Sequence, residues 1–403
     1  MSYTTSRSSS LDPSHFTRYQ EFQHPTHIDV HDLDLNGPTS WTRAGALLNW
    51  ATIVAAFALM TIGLHFIVDA LTALFPTTQG TVFREGLGPF TGLAAGILAT
   101  ALLQSSSAVT VSLVYGVGTG MLSTEAAISA IFGANIATTM SPLFLTFWLG
   151  RDRERAERAQ RMAFMHVWFN ILGVAVFLPL ELAFHPLETV AHRLVAPVND
   201  LVQSEDVFQG ISRHYWGNSY STGSGMMWLE FVGGSVLAVA AVVLLQHRIK
   251  ALIGGTGFAI LERAGGITDV AGLTLGVLAT MASGYSSATV TAVAGAASVK
   301  AIRDRAALPI IMGANIGTTL TGILIAFQLG SPAGSVALRV ALVHLLFNLT
   351  GTLVVLLVPF ARRLIVALAT RSASAFRRSY AAGLAIMVLT GWVIPLIILS
   401  VFR

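Results

Sequence analysis

The sequence predicts an all-α integral membrane protein made of two inverted-topology repeats, each with a re-entrant helical hairpin and a broken transmembrane helix. Three observations predict it: a composition too apolar for a water-facing surface, hydrophobic runs interrupted by short polar motifs, and the return of those motifs at one fixed offset. Of 403 residues, 54% are hydrophobic and 11% charged, whereas a soluble domain carries about 25% charged residues. The net charge is +4, but the arginines stand in short segments beside apolar runs, as the positive-inside rule expects, so nucleic acid is not the expected partner. Cysteine is absent, which removes disulfides, thiolate metal sites and cysteine nucleophiles together.

Taken in order, residues 1–43 form a polar tail without an apolar core, so not a signal peptide. His24, His27 and His31 with Asp29, Asp32 and Asp34 offer metal ligands, but nothing nearby would hold them, and a disordered cytoplasmic tail is expected. A first transmembrane repeat is expected over 44–184. It holds a span at 44–75, a region at 89–121 broken by Gln104-Ser105-Ser106-Ser107, a span at 126–149 and another at 162–184. Between the last two lies an Arg-rich loop, 151–161. An extracytoplasmic connecting segment, 185–224, follows. The second repeat, 225–360, has a span at 226–245, a broken region at 267–299 and spans at 306–329 and 335–360. A basic loop and an extra C-terminal span complete residues 361–403.

The repeat is visible in polar residues. Ser106-Ser107-Ala108 matches Ser286-Ser287-Ala288, and the run from Gly133 to Thr139 matches the run from Gly313 to Thr319, at one shared offset of 180 residues. His166 and Phe169-Asn170 match His344 and Phe347-Asn348 with a two-residue shift. Matched loops carry opposite charge bias. The segment after Gly120 lacks Lys and Arg while its partner holds Lys300, Arg303 and Arg305; 151–161 is Arg-rich while 330–338 is uncharged. Matched loops are therefore expected on opposite faces, with the N-terminus cytoplasmic, as in inverted-repeat secondary transporters.

The polar breaks carry the chemistry. Buried polar backbone in lipid must be satisfied, and Gln-Ser-Ser-Ser fits the tip between two half-helices. Serine caps the second, whose N-terminus offers N–H groups and positive dipole charge to an anion. Asn135, Thr138 and Thr139, with Asn315, Thr318 and Thr319, supply neutral oxygens. These suit a cation at a helix break, or equally helix–helix packing. His166, Asn170, His344 and Asn348 are expected to be structural, with neutral imidazoles and amides bonding nearby backbone. Walker A and His-Glu-x-x-His motifs are missing, and Gly254-Gly255-Thr256-Gly257 lacks a phosphate-binding context. An enzyme is not expected.

Gln104-Ser105-Ser106-Ser107, the paired Gly-x-Asn-Ile-x-Thr-Thr motifs and the His-x-x-Phe-Asn motifs resemble the type II sodium–phosphate cotransporter family, over roughly residues 80 to 360. The resemblance implies sodium-coupled symport of inorganic phosphate across the plasma membrane, with Na⁺ as coupling ion and no cofactor or transition metal. It implies phosphate contacts at Ser105, Ser106, Ser107, Ser286 and Ser287, and Na⁺ contacts at Gln104 and the Asn/Thr sets. The family usually repeats Gln-Ser-Ser-Ser in its second half; this chain has Gly284 and Tyr285 before Ser286-Ser287. Tyr285 is a further candidate donor to the oxyanion. That departure leaves open a cation-coupled transporter of another small anion on the same fold; a channel fits less well, because the polar residues cluster at the breaks. The resemblance also implies a prokaryotic member without a C-terminal regulatory domain, embedded in the inner membrane, for which a homodimer is compatible.

Overall fold

The structure is a computed structural model that describes residues 88–146, 153–203, 268–298, 302–329 and 332–401, with Lys300 and isolated residues between 48 and 59 and between 229 and 244. The tail 1–43, most of the spans 44–75 and 226–245, the stretch 204–224 and the Gly-rich segment lie outside the described residues. Among the described residues every element is helical. In the first half come α1 (Pro89–Leu103), α2 (Ser106–Gly118), α3 (Thr124–Ala137), α4 (Met140–Leu145), α5 (Arg153–Phe184) and α6 (Pro186–Gln203). In the second come α7 (Asp269–Ser283), α8 (Ser286–Ser298), α9 (Asp304–Gln328), α10 (Ala333–Leu357) and α11 (Pro359–Arg378). A last helix, α12 (Tyr380–Val388), passes through a π-helical turn at Leu389–Val393 into α13 (Ile394–Val401).

Among the described residues, five helical stretches are long and apolar enough to cross a membrane: Thr124–Leu145, Arg153–Phe184, Asp304–Phe327, Ala333–Leu357 and Tyr380–Val401. The protein is therefore a helical, multi-pass membrane protein. Helices α1 and α2, of 15 and 13 residues, reach only about 20 Å each against a hydrocarbon core of about 30 Å. Local chemistry sets the boundaries. Pro89 opens α1 at the position where a missing N–H costs nothing. Ser123 and Thr268 cap α3 and α7 by accepting from Ala126 N and Ala271 N.

Three sequence expectations need correction. The Arg-rich segment 151–161 is not a loop over its described part: α5 begins at Arg153. The basic stretch from Arg362 to Arg378 is the amphipathic helix α11, which buries Ile365, Ala369, Ala373 and Phe376 at helical spacing. The Asn-Thr-Thr motif interrupts its helix only in the first half, at the boundary of α3 and α4. Helix α9 runs through Thr318 and Thr319, and Thr138 and Thr139 keep right-handed helical backbone between α3 and α4. Threonine hydroxyls bonded back to preceding carbonyls are compatible with a continuous helix, and Thr139, Thr318 and Thr319 are bonded in this way. The connecting segment also starts as a helix, α6.

Glycine permits the closest approaches. A Cβ at Gly96 would strike the Ala130 carbonyl, and one at Gly133 the Leu93 carbonyl, so α1 and α3 touch backbone to backbone. The same contact recurs 180 residues on, with Gly276 against the Ile310 carbonyl and Gly313 against the Leu273 carbonyl, joining α7 to α9. The halves nevertheless share their cores. One core joins Met162, Met165 and Phe169 of α5 to Val290 and Val293 of α8 and Ile311 of α9. The other joins Leu338, Ala341 and Phe347 of α10 to Val114 of α2 and Ile131 and Phe132 of α3. Each half thus lends a long helix, α5 or α10, to its partner. Phe347 of α10 packs on Gly173 of α5, and Phe169 of α5 packs reciprocally on Gly351 of α10.

The charged ends sort accordingly. Arg158 donates to the Ser298 carbonyl at 2.9 Å, and Arg161 pairs with Asp304 at 3.2 Å, so the C-terminus of α8 and the starts of α5 and α9 lie together. At the far end of α9, Gly118 at the close of α2 faces Leu329, Ala333 and Ala337.

Candidate functional site

Both polar breaks are built from one left-handed residue, one intervening residue and a new helix, which in the first break is capped by serine. Gln104 takes φ 51°, ends α1, and is followed by extended Ser105, whose hydroxyl accepts from Ala108 N at 3.2 Å. Gly284 takes φ 74° at the matching place, ends α7, and leads into Tyr285 and α8. A left-handed residue disfavours most side chains, which explains glycine at 284. Gln104 is held there because its amide donates to the Ala101 carbonyl at 2.6 Å and accepts from the Ser141 hydroxyl at 2.8 Å.

The two breaks, 180 residues apart in sequence, are in direct contact. The Ser107 hydroxyl donates to the Gly284 carbonyl at 3.1 Å. The Ser106 hydroxyl donates to Thr138 at 3.0 Å, and Thr138 lies 3.4 Å from the Ser286 hydroxyl. Tyr285 shares a side-chain hydrogen bond with Ser105. Ser105, Thr138 and Ser286 are buried, whereas Ser106, Ser107 and Ser287 are half-buried. Ser287, in the first turn of α8, has no hydrogen-bond partner among the described residues. The first turns of α2 and α8 thus meet, bringing hydroxyls and two helix N-termini to one place without a Lys or Arg. That combination favours a small oxyanion.

The expected cation residues divide. Thr138 belongs to this junction. Thr139, Thr318 and Thr319 are bonded to their own helices, as is Asn135, whose amide donates to the Ile131 carbonyl at 2.9 Å. Asn315 instead joins the halves. Its amide N–H donates to Asn170 at 2.8 Å, so its carbonyl oxygen accepts from His166 Nε2, also at 2.8 Å. This fixes the His166 tautomer with the proton on Nε2. Asn170 and Asn348 each donate to the carbonyl of the histidine four residues earlier. The matching set on the other side stays open: both ring nitrogens of His344 and the Asn348 carbonyl oxygen are buried without a partner.

Sequence reasoning missed Ser141 and Ser283. Ser283 donates to the Tyr285 carbonyl at 3.0 Å and braces the second break. No spacing marks Ser141, because its role depends on where α4 passes Gln104. Ser283 stood beside the motif, and adjacency was the available signal.

The Na+/Pi-cotransporter family profile matches residues 59–185 and 237–375, more than half of the sequence and both polar breaks. The chain belongs to the Na+/Pi-cotransporter family. Among relatives, it is 25% identical to the rat sodium-dependent phosphate transport protein 2A over 367 residues, covering 71% of this chain and 58% of that protein. It is 24% identical to the bovine sodium-dependent phosphate transport protein 2B over 464 residues, covering 87% and 66%. A shorter stretch of 107 residues is 40% identical to the human 2B protein, covering 27% of this chain and 16% of that one. This family member spans less than two thirds of the length of these relatives. No solved structure matches the chain.

Proposed function

We propose that the protein is a secondary active transporter that couples the entry of Na⁺ to the symport of inorganic phosphate across the plasma membrane. The observation that carries it is the junction of the two serine-bearing breaks, where Ser105, Ser106, Ser107, Ser286, Ser287 and Tyr285 gather around the starts of α2 and α8. Phosphate would be held by hydroxyls and first-turn N–H groups rather than by a fixed cation. Release is then easier than from a buried guanidinium. The relatives named sodium-dependent phosphate transport proteins support the same ligand pair. Gln104, Thr138 and the remaining Asn/Thr residues would supply neutral oxygens for Na⁺ next to the anion.

Inverted topology is supported by the ends of α9. The C-terminus of α8 lies with the start of α9, while the C-terminus of its counterpart α2 lies with the end of α9. A helix of 25 residues separates those points by about 37 Å. With α1–α2 and α7–α8 each too short to span twice, re-entrant hairpins entering from opposite faces account for the arrangement. The Arg-rich starts of α5 and α9 would face the cytoplasm, as would the N-terminus. The asymmetry between the closed His166–Asn315–Asn170 set and the open His344–Asn348 set is what one end state of an alternating cycle would display.

The test is uptake of radiolabelled phosphate into proteoliposomes, with and without an inward Na⁺ gradient and with excess sulfate. Uptake that requires Na⁺ and ignores sulfate is expected. Folded, reconstituted protein that moves no phosphate overturns the substrate assignment and directs attention to other small anions that Gly284 and Tyr285 would admit.

A further inference from the structure

Helix α11 stands between two apolar stretches that are each long enough to cross the membrane, α10 before it and Tyr380–Val401 after it. Both of its ends are fastened to the same end of the bundle. Near its start, Arg362 pairs with Asp269 of α7 at 2.8 Å and donates to the Arg305 carbonyl at 2.7 Å. At its close, Arg377 pairs with Glu157 of α5 at 3.0 Å. The pair of Arg161 with Asp304 joins the starts of α5 and α9 at that same end. A helix of 20 residues, about 30 Å long, held in this way lies along the membrane surface rather than through it.

Its sides are told apart by what they touch. Ser374 donates to Glu157, in the charged opening turns of α5, at 3.0 Å. Ser372 accepts from Trp168 Nε1 at 3.0 Å, and Trp168 stands about 16 Å further along α5, inside its apolar run. The flank carrying Ser374 and Arg377 therefore points to water, and the flank carrying Leu364, Leu368 and Ser372 points towards the hydrocarbon. Ile365, Ala369, Ala373 and Phe376 form the side packed on the bundle. The fourth side, opposite the buried one, is a single stripe of Arg363, Ala367, Arg371, Ala375 and Arg378, all exposed. It looks away from the protein at the depth of the lipid headgroups.

Arg362 and Arg377 are tied into the bundle, whereas Arg363, Arg371 and Arg378 have no ion pair among the described residues. The chain carries no Asp or Glu after Asp304, so nothing in α11 or beyond it neutralises them. The small Ala367 and Ala375 between them leave the guanidinium groups open to a neighbour. We propose that this stripe binds acidic phospholipids, each guanidinium taking a headgroup phosphate. The planar fork of arginine matches phosphate oxygens bidentately, and an anionic lipid surface attracts basic side chains held within its reach. The long stems let the charged heads stay among the headgroups while their methylenes lie on apolar surface. A second copy of the chain is a poorer occupant, because two such stripes facing one another across a two-fold axis set arginine against arginine. The lipid would hold α11 to the surface from outside, as Asp269 and Glu157 hold it from the bundle.

The absence of cysteine makes a site-specific label available for the test. Ala375→Cys, between Arg371 and Arg378, carries a bimane fluorophore in the full chain, reconstituted in phosphatidylcholine vesicles that contain either brominated phosphatidylglycerol or brominated phosphatidylcholine. Quenching at low salt should favour phosphatidylglycerol by about fivefold or more, and the preference should fall below about twofold when Arg363→Gln, Arg371→Gln and Arg378→Gln are combined. Arg371→Gln alone should lower it by about twofold, which keeps the test available should the triple variant fold poorly. Arg303→Gln removes an exposed charge at the start of α9 and should leave the preference unchanged, which separates a local site from the charge of the whole face. Equal quenching by the two brominated lipids would overturn the proposal, as would a preference that survives the arginine substitutions. Quenching by neither lipid would show that the stripe meets water or a soluble partner, and would overturn it as well. None of these readouts uses phosphate uptake, so the lipid site and the transport assignment fail separately.

Discussion

Replacing Asn315 and Asn135 separately with leucine tests whether the Asn-x-x-Thr-Thr motifs do the same work in both halves. Asn315 is the hub between α9 and α5: it accepts from His166 and donates to Asn170, each at 2.8 Å, and both partners are fully buried. Leucine is of similar size, so the loss is polar rather than steric. It strands the His166 N–H and the Asn170 carbonyl oxygen. A buried unsatisfied group costs about 1–3 kcal/mol in soluble proteins, and interhelical bonds in membrane bundles average about 0.6 and reach about 1.7 kcal/mol. Two stranded groups therefore destabilise by about 2–4 kcal/mol. Asn135 bonds only the Ile131 carbonyl of its own helix, which the main chain also serves, so Asn135→Leu should cost about 1 kcal/mol or less. The difference, about 2 kcal/mol, is roughly thirtyfold in the unfolding equilibrium. Equilibrium denaturation in mixed micelles reads it directly. Equal destabilisation by the two substitutions would refute the asymmetric clamp.

Ser106→Leu should lower uptake by about a hundredfold while leaving membrane insertion and detergent stability intact, because a bulky side chain would displace Thr138 and Ser286 from the junction by an ångström or more; undiminished uptake would remove Ser106 from the site. Gly276→Ala should destabilise by about 1–3 kcal/mol or prevent folding, since its Cβ would meet the Ile310 carbonyl. Gly295→Ala, in the same half but facing open space, should be neutral or stabilising by up to about 1 kcal/mol, and thermal unfolding of the two variants side by side distinguishes the cases.

Much was legible in the sequence because it is local or periodic. Gln104-Ser105-Ser106-Ser107 announces a helix end and a new cap, and the structure has both, with Gln104 left-handed and Ser105 capping α2. The glycines at 96, 133, 276 and 313 recur at one offset, and so do the contacts they permit. Charge density misled at two stretches that are helical. Arginines at 153–161 and 362–378 suggested loops, yet both stretches are helical, because a helix needs only one apolar stripe to pack and can expose its charges elsewhere.

Sequence by itself determined that the chain lives in a membrane, that its two halves repeat, and which polar residues interrupt the apolar runs. These follow from composition and spacing, which every local segment carries. Only the tertiary structure decided which residues meet across 180 positions: Ser107 with Gly284, Thr138 with Ser286, and Asn315 with His166 and Asn170. Only it shows that α5 and α10 pack in each other's half, and that one Asn motif is a clamp while its twin bonds to its own helix. Identical motifs acquire different partners because packing depends on the surrounding three-dimensional shape, and a repeat in sequence does not make that shape symmetric.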